Sequence, residues 1–343
     1  MKPKILTIDP YNVSLDLIKQ AAEGLKNRRL VAFPTETVYG LGAIALDSKA
    51  VAEIFQAKNR PLDDPLIVHI SKMDDLYRLT QDVPKQIEKL VNCFWPGPLT
   101  VVLKKTQIVP DIVTTGLDTV AIRMPSNMIA RQLIDVVGEP ISAPSANLFG
   151  RPSPTTAKHV LEDLEGKIDI LIDGGVTDIG VESTVIAYID EKIKILRPGG
   201  ISLEEIKKIV QEVEVYTERV QDINSPGQYP QHYSPKAKLI LMKPLDSVQK
   251  ILDMVDNISK DGSKVGIMAK QENATFYKNF NVKVLGPEQD GKICASRLFV
   301  LLREFDVEQV DVIIAESISE KGLGLAVMNR LHKAAGSQIE FDF

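Results

Sequence analysis

The chain has 343 residues, of which 44% are hydrophobic and 25% are charged, a composition typical of soluble globular proteins with about two domains. A net charge of −5 excludes a surface that attracts nucleic acid as a whole, although local basic clusters could still bind phosphates. The two cysteines, Cys93 and Cys294, are too few for a disulfide framework and too far apart for a zinc site. Without a signal-peptide core or an apolar run of about 18 residues, we expect a cytoplasmic protein.

Helical and strand patterns alternate through the first 210 residues. Ser14 is typical of a helix N-cap, and one apolar helix face follows it. The next predicted elements are a strand at 30–33, a helix at 48–58, and strands at 66–70, 100–103, 120–124, 168–172, 184–189 and 193–196. Short turns separate several of these strands, which predicts an α/β fold with a mixed sheet rather than a purely parallel one.

The periodicity fades after residue 212, where three prolines favour an extended segment. A second alternating pattern follows, with strands predicted at 239–242, 265–268, 282–285 and 310–315 and helices at 247–260, 294–305 and 326–335. Regular alternation of this kind predicts a small three-layer α/β domain. We therefore expect a first domain over 1–212, a linker over 213–236 and a second domain over 237–343.

Several stretches carry candidate binding residues. The hydroxyls of Thr35 and Thr37 follow a predicted strand and could bind a small polar ligand, but a capping threonine in a glycine-containing turn is the more common explanation of such a pattern. Lys58 and Arg60 could bind successive phosphates, or they could lie at a solvated helix end. His69 alone is more typical of a packed strand histidine than of a catalytic base.

Arg123 shares a strand face with Thr119 and Ala121. If it is buried it needs an anionic partner, either a substrate carboxylate or a structural Asp or Glu. Ser145 and Asn147 lie on a proline-stiffened loop, which is either a ligand site or an ordinary turn.

Two further stretches are Glu182-Ser183-Thr184 and the run Arg197-Pro198-Gly199-Gly200. A cation, a glycine pair and a helix start form a candidate phosphate site, although a plain strand–turn–helix junction is an alternative. The chain contains no G-x-x-x-x-G-K-[ST] stretch and no G-x-G-x-x-G fingerprint, and its four histidines are scattered. No metal ligands are therefore predicted, and the residues alone indicate an α/β protein that binds an anionic small molecule.

Seven stretches occur in one order: PTETVYGLG, KNRPLDDPL, FWPGPLT, TVAIRMP, SAPSANLFGRPS, ESTVI and RPGG. Together they resemble the YrdC-like family of threonylcarbamoyl-AMP synthases. The later SPGQYPQHYSP and GLGLAVMNRL resemble the two-domain members. The resemblance implies an open, twisted mixed sheet with a large cavity, followed by a small Rossmann-like three-layer domain.

The implied activity is that of a nucleotidyltransferase, in which L-threonine, bicarbonate and ATP give threonylcarbamoyl-AMP and pyrophosphate, with Mg²⁺ accompanying ATP. The product would pass to a tRNA threonylcarbamoyl transferase complex, which modifies the adenosine beside the anticodon. Neither membrane association nor strong direct nucleic-acid binding is expected. Two alternatives are an RNA-binding protein that uses the concave surface and a carbamoyl-transfer enzyme of metallocentre assembly.

The resemblance also implies residue roles, with Lys58 and Arg60 as catalytic residues. The expected ATP-binding residues are Lys58, Arg60, Ser145, Asn147, Arg151, Arg197 and Tyr233. The expected threonine- and bicarbonate-binding residues are Thr35, His69, Thr119, Arg123, Ala143, Ser183 and His232. The proline-rich linker, which carries Tyr229, His232 and Tyr233, is either a lid over the labile product or a spacer.

Overall fold

The computed structural model describes residues 2–216, 232–244 and 246–336, which form two compact units. Among the described residues, the first unit comprises 2–149 and 153–216, and the second comprises 150–152 together with everything from 232 onward. No described helix is long and apolar enough to cross a membrane.

The first unit is built on a mixed sheet. Its strands are β1 Lys4–Thr7, β2 Val31–Pro34, β3 Tyr39–Ile44, β4 Ile67–His69, β5 Leu99–Lys104, β6 Thr119–Arg123, β7 Ile141–Ser142, β8 Ile170–Asp173, β9 Thr184–Ile189, β10 Lys192–Arg197 and β11 Val213–Val215. They lie in the order β1-β8-β2-β3-β7-β4-β6-β5-β9-β10-β11. Parallel pairs such as β4–β6 and β5–β9 alternate with antiparallel pairs such as β5–β6 and β9–β10, which confirms the predicted mixed sheet.

Eight helices flank this sheet in the described part of the first unit: α1 Leu15–Lys26, α2 Ser48–Lys58, α3 Met73–Leu79, α4 Lys85–Phe94, α5 Asp111–Thr114, α6 Met128–Val137, α7 Ala157–Leu164 and α8 Leu203–Lys207. The apolar faces of α1 and α6 pack with inward residues of β1, β2, β7 and β8 in one core cluster. A larger core on the opposite face of the sheet includes residues of α2, α4 and α7. Successive residues of a strand therefore pack into opposite cores, as the pleat requires.

The position of α2 is set by its two ends. The Asp47 carboxylate caps the helix by accepting from the main-chain N–H groups of Lys49 and Ala50. At the other end Asn59 takes a left-handed conformation with φ of 51°, which stops the helix at Lys58. The last residue of α2 is thus aimed at the loop that follows β7.

The second unit contains a four-stranded parallel sheet in the order β12-β15-β13-β14. Its strands are β12 Lys238–Leu241, β13 Val265–Lys270, β14 Asn281–Gly286 and β15 Val312–Ala315. Its helices are α9 Val248–Ser259, α10 Gly291–Val307 and α11 Gly324–Ala335, with a 3₁₀ turn at Ala274–Tyr277. Most of the predicted linker lies outside the described residues, so its boundaries and its role as a lid stay predictions.

Candidate functional site

A row of aligned residues crosses the sheet of the first unit. In register, His69 of β4 lies opposite Arg123 of β6, which lies opposite Thr100 of β5. The row continues through Val185 of β9 to Arg197 of β10, which follows a register shift after Ile195. Residues directly opposite one another across a sheet point to the same face, so these side chains share one surface. We call this set the polar row.

The polar row is buried and borders a small apolar patch. His69, Thr100, Arg123 and Arg197 are each 5% exposed or less. Residues two positions further along the same strands, and therefore on the same face, form a separate apolar cluster: Ile67, Val102, Ala121 and Ala187, with Val185 and Leu196. This face of the sheet therefore carries hydrogen-bonding side chains along the polar row and apolar side chains beside it. We call this face the floor.

Arg123 is held by a glutamate that the sequence prediction missed. Its Nη2 donates to Oε1 of Glu36 at 2.7 Å, and the two side chains are only 4% and 5% exposed. The main-chain oxygen of Glu36 accepts from the N–H of Ile179, which fixes the turn between β2 and β3. A structural carboxylate therefore partners Arg123, one of the two alternatives left open. The signal that could have found it is the PTETVYG motif, which contains Glu36.

His69 is neutral at neutral pH. Burial, followed by the positive charge of Arg123, lowers the pKa of His69 to about 3. Its ring meets the ring of Phe33 edge to face, with centroids 6.5 Å apart. A neutral imidazole beside Arg123 adds polar contacts to the floor without adding a second positive charge.

Ser183 links the polar row to the RPGG turn. Its hydroxyl lies 2.7 Å from the hydroxyl of Thr100, another residue that the sequence prediction missed. The guanidinium of Arg197 donates to the main-chain oxygen of Ser183 at 3.0 Å and to its hydroxyl at 3.2 Å. At Gly199 an added Cβ would lie 2.3 Å from the carbonyl carbon of Ser183, so only glycine permits this close approach.

Lys58 joins the end of α2 to the loop after β7. Its ammonium donates to the main-chain oxygens of both Ser145 and Asn147. The side chain is 1% exposed, and burial, followed by the charge of Arg60, lowers the pKa of Lys58 well below its usual value. The loop with the Ser-x-Asn pair is therefore anchored on a buried cation.

Arg60 is buried beside an acidic partner. It forms an ion pair with Asp64 at 2.7 Å and donates to the main-chain oxygen of Pro65 at 2.8 Å. Since both Lys58 and Arg60 are buried, this segment is not a solvated helix end. Ser145 forms an isolated bridge with Gly40 of β3, so the loop also contacts the sheet.

Three further residues of the first unit were expected to bind threonine or bicarbonate, namely Thr35, Ala143 and Thr119. The Thr35 hydroxyl donates to the main-chain oxygen of Val38 and caps the β2–β3 turn. Ala143 is buried directly after β7, where an added Cβ on Gly40 would lie 3.2 Å from its methyl group. Thr119 lies at the opposite end of β6, about 13 Å along the strand from Arg123.

Arg151, His232 and Tyr233 belong to the second unit. There Arg151 pairs with Asp306 at 2.6 Å. The main-chain N–H of His232 donates to the oxygen of Lys333, and the Tyr233 ring is 5.5 Å from that of Phe299. The expected contribution of Arg151 and Tyr233 to ATP binding, and that of His232 to threonine or bicarbonate binding, stay predictions.

The comparisons with known proteins cover both units. Residues 23–199 match the family described as Telomere recombination, and residues 201–336 match the family described as Threonylcarbamoyl-AMP synthase, C-terminal domain. Threonylcarbamoyl-AMP synthase of Pyrococcus abyssi is 48% identical over 331 residues, which is 94% of this chain and 95% of that protein. The chain belongs to the family of threonylcarbamoyl-AMP synthases.

Other relatives agree with this assignment. The threonylcarbamoyl-AMP synthase of Bacillus subtilis is 45% identical and covers 94% of each chain. A crystal structure of P. abyssi Sua5 complexed with L-threonine has a TM-score of 0.90 and 46% identity, covering 97% of this chain and 98% of that one. The predicted family and its synthase activity are thereby confirmed.

Replacing His69 by Gln should remove part of the pH dependence of stability. The folded protein keeps the ring neutral down to a pKa of about 3. The unfolded chain takes up a proton near pH 6.5, so it binds more protons between these values. The free energy of unfolding therefore falls as the pH decreases through this window.

Urea unfolding at about pH 7.5 and about pH 5.5 measures this contribution. The wild type should lose about 1 kcal/mol more than the His69→Gln protein between the two conditions. An equal loss in both proteins would contradict a neutral, buried His69.

Proposed function

We propose that the polar row is the floor of the site where L-threonine, bicarbonate and ATP are converted into threonylcarbamoyl-AMP and pyrophosphate. The supporting observation is the strand register, which aligns His69, Arg123, Thr100 and Arg197 on one buried face. In this proposal the face borders the large cavity of an open, twisted sheet. Three reactants gain most of their rate from being held in such a fixed arrangement.

The Arg123 end of the row is proposed to bind threonine. A guanidinium binds a carboxylate through paired hydrogen bonds, and Arg123 is already oriented by Glu36. The hydroxyl of Ser183 is close enough to Thr100 and Arg197 to extend the same polar surface. Thr35, Ala143, Thr119 and His232 remain further proposed contacts of threonine or bicarbonate.

The nucleotide is proposed to bind where Lys58 meets the Ser145–Asn147 loop. Lys58, Arg60 and Arg197 bring positive charge to a buried region, where each charge interacts more strongly with phosphate than in water. Ser145 and Asn147 add hydrogen-bonding groups, and Arg151 and Tyr233 are further proposed ATP contacts. This end of the site would therefore stabilise the charge that develops on the leaving pyrophosphate.

The proposed chemistry needs no covalent enzyme intermediate. The threonine amine attacks the carbon of bicarbonate, and water leaves to give a carbamate. A carbamate oxygen then attacks the α-phosphorus of ATP and pyrophosphate leaves. The residues bind and orient the reactants, and they favour the charge distribution of the transition state.

A protein-held metal ion does not fit the residues that the structure describes. Within residues 2–216, 232–244 and 246–336 no group of three or more His, Cys, Asp or Glu side chains could hold a metal. Mg²⁺ usually binds through one or two carboxylates together with substrate phosphates. The Mg²⁺ expected with ATP would therefore depend on the nucleotide for its binding.

The remaining parts of the proposal concern the second unit and the product. We propose a Rossmann-like arrangement for its parallel sheet, and a linker that covers the labile product. The product would be handed to a tRNA threonylcarbamoyl transferase complex in the cytoplasm, for modification of the adenosine beside the anticodon.

Pyrophosphate release from ATP tests the reaction. It should require both L-threonine and bicarbonate, because neither alone can form the carbamate that attacks ATP. A coupled pyrophosphate assay measures the release with each reactant omitted in turn. Release that continues unchanged without threonine or without bicarbonate would refute the proposed function.

Replacing Lys58 by Met should reduce pyrophosphate release by about 100-fold or more, because the buried charge beside the phosphates is lost. Methionine keeps much of the length and fits a buried site, so the thermal unfolding curve should remain cooperative. The matched control is Lys49→Met, on the exposed side of the same helix. Wild-type rates in the Lys58→Met protein would remove Lys58 from the nucleotide site.

A further inference from the structure

Only one of the two carboxylate oxygens of Glu36 has a hydrogen-bond partner among the described residues. One of its carboxylate oxygens, Oε1, accepts from Arg123, and the residue is only 4% exposed. The other oxygen, Oε2, is buried and has no hydrogen-bond partner among the described residues. An ionised carboxylate can accept several hydrogen bonds, and leaving a buried acceptor unsatisfied is costly. Such an oxygen indicates the place of a donor that a ligand supplies.

Arg123 shows the complementary feature. Its Nη2 donates to Glu36, but its Nε is buried without a hydrogen-bond partner in the described part of the chain. The ion pair therefore offers one open acceptor and one open donor within a single buried unit. Its net charge is zero, because the carboxylate and the guanidinium neutralise each other.

An α-amino acid matches this pair in charge and in hydrogen bonding. Its ammonium needs an acceptor and its carboxylate needs a donor, while the zwitterion as a whole is neutral. A site with Arg123 alone would satisfy the carboxylate and would repel the ammonium. The presence of Glu36 explains how a buried site can accept both ends.

We propose that Glu36 is a catalytic residue that binds the α-ammonium of threonine and takes its proton. The inference rests on the proposed function, since it requires threonine at the Arg123 end of the polar row. In the step, one N–H bond of the ammonium breaks and one O–H bond forms on Glu36 Oε2. The electron pair left on nitrogen is the nucleophile that attacks bicarbonate.

His69 is the other buried candidate on this surface, and its Nδ1 also has no hydrogen-bond partner among the described residues. It lies opposite Arg123 in register, and burial together with the charge of Arg123 lowers the pKa of His69 to about 3. A protonated His69 would be a second cation beside Arg123. A protonated Glu36 leaves Arg123 without a charged neighbour but creates no repulsion.

The test compares L-threonine with its deaminated analogue, 2,3-dihydroxybutanoate, by isothermal titration calorimetry. In the Glu36→Gln protein the dissociation constant for threonine should rise by about 10- to 100-fold, as expected for a lost hydrogen bond to a charged group. The constant for the analogue, which has no ammonium, should not rise, because the substitution leaves the charge of Arg123 uncompensated beside the analogue's carboxylate. The matched control is Glu53→Gln on the exposed side of α2, which should leave both constants unchanged.

Two outcomes would overturn the proposal. Equal losses for both ligands would mean that Glu36 only positions Arg123, and unchanged threonine binding would mean that Glu36 does not contact the ammonium. If Glu36→Gln does not fold, wild type provides the test, because threonine should bind at least about 10-fold more tightly than the analogue. Equal wild-type affinities would then refute the role of Glu36, whereas threonine-independent pyrophosphate release would refute the proposed function itself.

Discussion

The site depends on one constraint, the in-register pairing of β4, β6, β5, β9 and β10. The polar row comes from five strands spread over residues 67–197, and strand pairing, with a register shift between Ile195 and Arg197, places its members on one face. A slip of one residue in the β4–β6 or β5–β6 pairing would turn the polar side chain of the slipped strand toward the opposite apolar core. The close approach of Gly199 to Ser183 and the glutamate beside Arg123 act on a surface that the register has already created.

The buried charges of the first unit carry a cost in stability. Lys58, Arg60, Arg123 and Glu36 are all buried, and burying charges is unfavourable unless they are paired and hydrogen-bonded. The structure offsets much of this cost internally, through Glu36, Asp64 and the main-chain oxygens of the Ser145–Asn147 loop. This compensation is incomplete at Oε2 of Glu36 and at Nε of Arg123, which have no hydrogen-bond partner among the described residues. Sites that bind charged substrates commonly retain such incompletely compensated groups.

The sequence predicted the elements whose signals are local. The predicted helix at 48–58 has the bounds of α2, whose start is capped by Asp47 and whose end is set by the left-handed Asn59. The mixed character of the large sheet followed from the short turns between strands. The pairing of the strands could not be predicted, because periodicity shows which residues share a face within one strand and does not identify the neighbouring strand. Thr100 was missed for that reason, whereas Glu36 lies in the β2–β3 turn and was overlooked although the PTETVYG motif contains it. Thr119 was grouped with Arg123 although Ala121 and most of β6 separate them.

A crystal structure of the protein with L-threonine and a non-hydrolysable ATP analogue tests the central claim most directly. If the polar row is the floor of the site, the threonine carboxylate lies within hydrogen-bond distance of Arg123, and the triphosphate lies at the end that carries Lys58 and Arg60. Threonine bound on the opposite face of the sheet, or in the second unit alone, would contradict the account.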